Sequence, residues 1–190
     1  MSRAYTSDPR VLAIDPSTRG FGFAILEGPN RLIDWGVKET KTDKRKRSLK
    51  LIADLIEQYQ PSVLVVEDYT RKGSRRCRRV RELIKDISKL AVQRKIKVRN
   101  FSRLKVKQAF SESGTSNKYE IAIAIAKRFP ELAPRLPRFR KPWMSEDYRM
   151  SIFDAVAFGV TFFHMPTTEN CASSRFPRSS QIIRSRCTMF

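Results

Sequence analysis

Acidic residues are scarce in this chain: 19 Asp and Glu stand against 39 Lys and Arg, and the formal charge of +20 calls for a polyanionic partner. Nucleic acid meets that demand, with an anionic membrane as the rival. Long apolar runs are missing too. No stretch approaches the roughly 20 residues that span a bilayer, and the N-terminal MSRAYTSDPR has no signal-peptide core, so a cytoplasmic protein with no membrane partner is expected. Cysteine is sparse. Cys77, Cys171 and Cys187 are odd in number and show no CxxC spacing, which supports neither a disulfide framework nor a zinc site, and all three read as free thiols. Internal repeats are absent, and 190 residues suit one domain. Residues 1–165 carry periodic patterning; residues 166–190 lose it, are rich in Ser, Thr and Arg, and read as a basic, mobile tail.

What is present is a succession of apolar runs punctuated by turns. VLAID from Val11, GFGFAILE from Gly20 and RLIDWGVKE from Arg31 read as three strands of an antiparallel meander. Leu49, Ile52, Leu55, Ile56 and Tyr59 recur at helical spacing until Pro61, after which SVLVVE reads as a fourth strand, parallel to its predecessor in the sheet. Val80 to Ala91 marks a second long helix, KIKVRNF a fifth strand, and RLKVKQAF and NKYEIAIAIAKRF two shorter helices. The stretch from Glu131 to Pro142 is Pro-rich, basic and irregular, and a last helix is expected from about Ser145 to His164. The order β-β-β-α-β-α-β-α predicts an α/β fold, a mixed five-stranded sheet flanked by helices.

Three carboxylates end or interrupt these runs. Asp15 closes VLAID, Glu67 closes VLVVE, and Asp154 lies inside SIFDAVAFGV. Asp15 before Pro16 can be a turn residue, and Glu67 beside Asp68 the solvated end of a strand. Asp154 is harder to dismiss: on a helix apolar nearly all round, a lone carboxylate is expensive unless protonated, paired or bound to metal. The first and fourth strands should lie side by side, and the last helix can deliver Asp154 to their ends. Close carboxylates repel, a divalent cation removes that cost, and a pair of Mg²⁺ or Mn²⁺ ions would activate water for phosphodiester cleavage. Histidine is not needed for that chemistry. The only one, His164, reads as a helix cap.

The stretch VLAIDPSTRGFGFAILEG resembles the first motif of the RuvC-type Holliday junction resolvases, within the ribonuclease H-like superfamily. VLVVED is similar to that family's fourth strand, KVKQAFSESGTSNKYEIAIAIA to the segment where a lysine follows a Gly-containing loop, and FDAVAFGV to its closing helix. The four fall in order from Val11 to about Phe163. The resemblance implies a ribonuclease H-like fold, metal ligation by Asp15, Glu67 and Asp154, a phosphate-contacting Lys118, a homodimer, and cleavage of branched DNA, four-way junctions foremost. The family's fourth carboxylate, one helical turn before the final Asp, is replaced here by Ser151. Two roles are open to the nearest upstream acid, Asp147: replacing that ligand from about two turns earlier on the same helix face, or serving the helix N-terminus. Tyr69 is the candidate for the aromatic that enters the junction.

Between Arg71 and Arg81 the chain reads RKGSRRCRRVR, seven cations without an acid. Arg71, Lys72, Arg75, Arg76, Arg78 and Arg79 are expected to grip backbone phosphates, with Lys105, Lys107 and Lys118 joining them. Lys44 to Arg47 open the first helix, an unfavourable end for cations unless they answer to something outside it. Phe139 and Trp143 interleave with the cations of RLPRFRKPW, which suits either base stacking or core packing. A structure-selective DNA endonuclease is the leading reading. An RNA-processing nuclease of the same fold and a non-catalytic nucleic-acid-binding module are the alternatives; an actin-like nucleotide enzyme lacks the room for its second domain.

Overall fold

The computed structural model describes residues 8–41, 43–70, 76–111, 114, 117–141 and 143–165. Five strands form one sheet: β1 (Arg10–Pro16), β2 (Gly20–Glu27), β3 (Leu32–Glu39), β4 (Val63–Glu67) and β5 (Lys97–Phe101). Their spatial order is β3-β2-β1-β4-β5, with β1, β2 and β3 antiparallel and β1, β4 and β5 parallel. Helices α1 (Lys44–Tyr59), α2 (Arg78–Gln93), α3 (Arg103–Ala109), α4 (Lys118–Arg128) and α5 (Met150–His164) complete the chain, with a 3₁₀ turn over Pro130–Arg135. The expected mixed sheet is observed, and the first and fourth strands lie side by side as expected, running parallel.

Side chains along a strand alternate between faces, and this period of two places the acids. Leu12, Ile14, Leu64 and Val66 pack with α1 and α2, alongside Ile52, Leu55, Leu83, Ile84 and Ile87. Val11, Ala13, Val63 and Val65 point to the other side, into a core built with Phe153, Val156, Ala157 and Val160 of α5. Asp15 and Glu67 continue this second series, so both emerge on the α5 side at the carboxyl ends of adjacent strands. Helix α5 is buried along nearly its whole length, as a helix apolar all round must be.

Two glycines let α5 lie that close. Across the ladder from Asp15 stands Gly22, and a Cβ there would sit 2.3 Å from the Ser151 carbonyl oxygen. At the other end, a Cβ on Gly159 would sit 2.4 Å from Leu26 Cδ1. The expected start of the last helix near Ser145 is corrected to Met150. Asp147 Oδ1 accepts a hydrogen bond from the Arg149 amide at 2.9 Å, and Met150 N donates to the Asp147 carbonyl, so residues 147–149 form a turn before the helix. Asp147 is therefore not on the helix face that carries Asp154.

Gly22→Ala should cost about 1–3 kcal/mol, because the atoms in its way are backbone and the helix itself must shift. A urea-unfolding midpoint unchanged from that of the parent would refute this close packing.

Candidate active site

The three acids come together at one edge of the sheet, and each is buried: Asp15 is 3%, Glu67 3% and Asp154 6% exposed. What stands between them is a pair of guanidinium groups. Arg76 donates from Nε to Glu67 Oε2 at 2.7 Å and from Nη1 to the Pro16 carbonyl at 2.9 Å, while its Nη2 is shared between Asp15 Oδ1 and Glu67 Oε2. Arg103 reaches all three acids: Nη1 donates to Asp154 Oδ1 at 2.8 Å, and Nη2 lies 3.3 Å from Asp15 Oδ1 and 3.4 Å from Glu67 Oε2. Its guanidinium also sits 5.6 Å from the Phe158 ring centroid. Lys118 Nζ completes the set at 2.6 Å from Asp154 Oδ2 and pairs with Glu146 as well. That Asp154 oxygen is buried, and Lys118 is its charged partner.

Local structure explains how these cations arrive. Phe101, opposite Glu67 in the ladder, ends β5; Ser102 caps α3 by accepting from the Lys105 amide, and Arg103 is the first residue of that helix. Asn117 caps α4, accepting from the amides of Tyr119 and Glu120 while Glu120 accepts from the Asn117 amide, which fixes Lys118 in the first turn. Both cations sit at helix N-termini, where the dipole disfavours them, and both answer to the buried acids.

Electrostatics in the cluster follows from burial and pairing. Burial pushes the Asp15 carboxyl up from 3.8 to about 6; Arg76 opposes the rise and the Asp154 charge adds to it. Burial also works against the Asp154 carboxylate, but Arg103 and Lys118 outweigh it and hold the group below its ordinary value. Burial is the largest single influence on Lys118 and acts to lower its pKa, but the charges of Asp154 and Asp15 with the Asp154 hydrogen bond together raise it. A cavity of about 280 Å³ opens over the cluster, with Asp15, Arg76, Arg103, Lys118, Ser151 and Asp154 on its wall.

Several expectations need correction. Among the described residues no group of three or more His, Cys, Asp or Glu stands as a metal-ligand set, and Arg76 and Arg103 lie between Asp15, Glu67 and Asp154. Arg76, expected on a phosphate, is turned inward onto Asp15 and Glu67. Tyr69 is partly buried and packs against the core formed with α1 and α2. Asp147 lines the cavity, but its carboxylate is held by Arg149 through Nε at 3.1 Å and Nη2 at 2.7 Å, hydrogen bonds that lower its pKa. Arg78 and Arg79 are exposed as expected; Arg78 pairs with Glu82 one turn on. Lys107 is exposed and Lys105 half-buried on α3. The cations opening α1 do answer outside it: Arg45 pairs with Asp86 and Glu82 of α2, and Lys44 donates to the Thr18 carbonyl. His164 closes α5 beside Arg128, 3.0 Å from its Nη1. Arg71, Lys72, Arg75, Cys171, Cys187 and the tail 166–190 lie outside the described residues. Arg103 was not singled out from the sequence, although a cation opening a helix is the signal already noted at Lys44 to Arg47.

A mixed sheet of this order, with acids at the ends of its first and fourth strands and on its closing helix, defines the ribonuclease H-like class. The sequence model described as "Crossover junction endodeoxyribonuclease RuvC" matches residues 11–134. Curated relatives of that name from Caldicellulosiruptor saccharolyticus and Prochlorococcus marinus are each 31% identical; the first aligns over 59% of this chain and 74% of its own, the second over 61% and 79%. Among solved structures, Thermus thermophilus RuvC superposes with a TM-score of 0.61 at 19% identity, covering 82% of this chain and 93% of the other. RuvC of the same organism in complex with a Holliday junction substrate gives 0.60 at 17% identity over the same shares. Yeast mitochondrial Holliday junction resolvase Ydc2 gives 0.53 at 15%, covering 86% and 80%. The chain belongs to the RuvC family.

In EDTA, native Asp15 keeps its proton up to about pH 6, whereas the unfolded chain releases it near 3.8. Between those values the native state binds more protons, so this group's contribution to stability falls as pH rises. Asp154, shifted downward, acts only below that window. The melting temperature of the metal-free protein should fall less steeply from about pH 4 to 6.5 in Asp15→Asn than in the parent. Equal slopes would show that Asp15 is ionised throughout.

Proposed function

We propose that this protein is a divalent-metal-dependent endonuclease that cuts branched DNA, with the four-way Holliday junction as its principal substrate in recombination and repair. The observation that carries the reading is the meeting of Asp15, Glu67 and Asp154 at the carboxyl edge of β1 and β4, in a chain of formal charge +20. Family membership supports the nuclease chemistry and the junction. No helix among the described residues is long and apolar enough to cross a membrane, and the reading places the protein in the cytoplasm with its DNA. It acts as a homodimer in this reading, because two symmetric cuts need two sites and a two-fold pair supplies them.

The donor set fits a hard divalent cation. Three carboxylates offer oxygen ligands only, and they converge on one spot, where the guanidinium nitrogens of Arg76 and Arg103 lie. Asp15, Glu67 and Asp154 would hold the metal, Mg²⁺ or Mn²⁺ and two ions in our reading; such ions activate water and stabilise the leaving 3′ oxygen. The rest falls to the chain. Asp15 has to shed its proton to serve as a ligand, which its neighbours Arg76 and Arg103 promote. The two guanidinium groups have to leave the carboxylates, and the phosphates of the substrate are the anions that receive them. Lys118 stays on Asp154 and sets a positive charge at the cavity wall, where a scissile phosphate would lie.

A labelled four-way junction, a duplex and a hairpin RNA, incubated with Mg²⁺, Mn²⁺ or EDTA, test the assignment in one gel. Paired, metal-dependent nicks confined to the junction are expected; cutting of the RNA, or retarded but intact junction in every condition, would overturn it. Asp15→Asn should slow cutting by at least roughly 10²-fold, as loss of one directed group at a reacting centre does, while junction binding persists. In a separate experiment, Arg103→Gln should melt at a lower temperature than the parent in EDTA and gain more from Mn²⁺, since its removal leaves the acids without their bridging cation. An Mn²⁺-induced rise no larger than that of the parent would show that metal and guanidinium do not compete for the acids.

A further inference from the structure

We propose that the segment from residue 136 to residue 149 is a base-stacking arm, on which Phe139 and Trp143 receive unstacked nucleobases at the branch point of the DNA. This inference rests on the reading of branched DNA as the substrate and adds a site that reading does not contain. The family match ends at residue 134, so the arm is a part of this chain beyond the matched residues.

Among its described residues the arm is held at its ends and exposed over residues 138–141 and 143–145. Pro137 and Met150 are buried, whereas Trp143 is 78% and Phe139 69% exposed. A tryptophan normally brings a large apolar area into a core or an interface, and here that area faces solvent. Core packing of Trp143, the other reading open from the sequence, is thereby removed. The arm is also fixed beside the acids. Phe139 meets the Tyr119 ring edge-on, with centroids 5.3 Å apart, and Tyr119 follows Lys118, whose Nζ joins Asp154 to Glu146 on the arm's far side. Glu146 and Tyr148 line the cavity that Asp15 and Asp154 share.

The chemistry of the arm selects its ligand. Arg138, Arg140 and Lys141 interleave with the two rings, and Lys141 Nζ lies 5.4 Å from the Trp143 ring centroid. Aromatic faces among cations suit nucleic acid, whose bases offer π-faces and whose backbone offers phosphates. An apolar protein partner would leave the three cations desolvated without anions. In duplex DNA the base faces are already covered by their neighbours, so the arm gains its stacking energy only where a branch leaves bases uncovered. The rings thereby favour branch points over uniform duplex.

The test uses the full-length chain in an Asp15→Asn background with Mg²⁺, so that substrate stays intact. Trp143→Ala is expected to weaken binding to a four-way junction roughly tenfold or more, within the range for loss of one stacked base, with duplex binding little changed. Trp143→Phe should restore most of the loss. A 2-aminopurine placed at the branch should be quenched by the parent and not by Trp143→Ala. Equal junction affinity in parent and Trp143→Ala overturns the arm while leaving the nuclease reading in place. Parallel loss on junction and duplex overturns stacking, since it would place the arm on phosphates. A change in oligomeric state in Trp143→Ala would show that the ring belongs to a contact between copies of the chain. A parent that prefers duplex to junction overturns the branched-DNA reading, and the arm with it.

Discussion

Three carboxylates forced out of water at one point would repel one another and resist ionisation, and much of the local architecture answers that repulsion. Burial alone would leave Asp15, Glu67 and Asp154 protonated or drive them apart. Instead Arg76, Arg103 and Lys118 bring three positive charges to three negative ones. Removing one partner from such a cluster leaves an uncompensated buried charge, which is why its members are mutually dependent although no single bridge need add net stability. The arrangement keeps acids at a spot where hydrocarbon would be the cheaper filling. That cost is consistent with a role in chemistry and not in folding.

Backbone geometry makes the meeting possible. Alternation along β1 and β4 sends Asp15 and Glu67 to the same face, and the parallel pairing of these strands sets their ends side by side. Helix α5 must then approach closer than ordinary side chains allow, which the absence of a Cβ at Gly22 and Gly159 permits. The contact at Gly22 falls on Ser151, three residues before Asp154. The residue that sets the height of the helix over the sheet is therefore one turn from the acid it delivers.

Much of this was legible in the sequence. Continuous apolar runs ending in acids gave the strands and Asp15 and Glu67, and an acid surrounded by apolar neighbours gave Asp154, because burial leaves a strong compositional trace. The start of α5 was misplaced by about five residues: Ser145, Glu146 and Asp147 have the composition of a helix opening, yet Asp147 spends its carboxylate on the Arg149 amide and side chain in a turn. The direction of individual arginines was not legible. Arg76 stands in a run of cations with the same local pattern as its neighbours, and only the distant Asp15 and Glu67 turn it inward while Arg78 stays out. Tyr69 packs against the core formed with α1 and α2, a contact its local sequence did not indicate.

The departure at position 151 also has a physical account. With Asp147 tied to Arg149, the centre holds Asp15, Glu67, Asp154 and Glu146 against Arg76, Arg103 and Lys118, so acids already exceed cations there. A further carboxylate at position 151 would add to that excess on the wall of the cavity, on a residue whose backbone and Cβ already lie close against Gly22. Serine avoids both costs. Its hydroxyl donates to the Tyr148 carbonyl at 2.7 Å, which ties the first turn of α5 to the segment before it. The replacement therefore belongs to the charge balance of the centre and to the seating of the helix together, and it leaves the three remaining acids where strand and helix geometry put them.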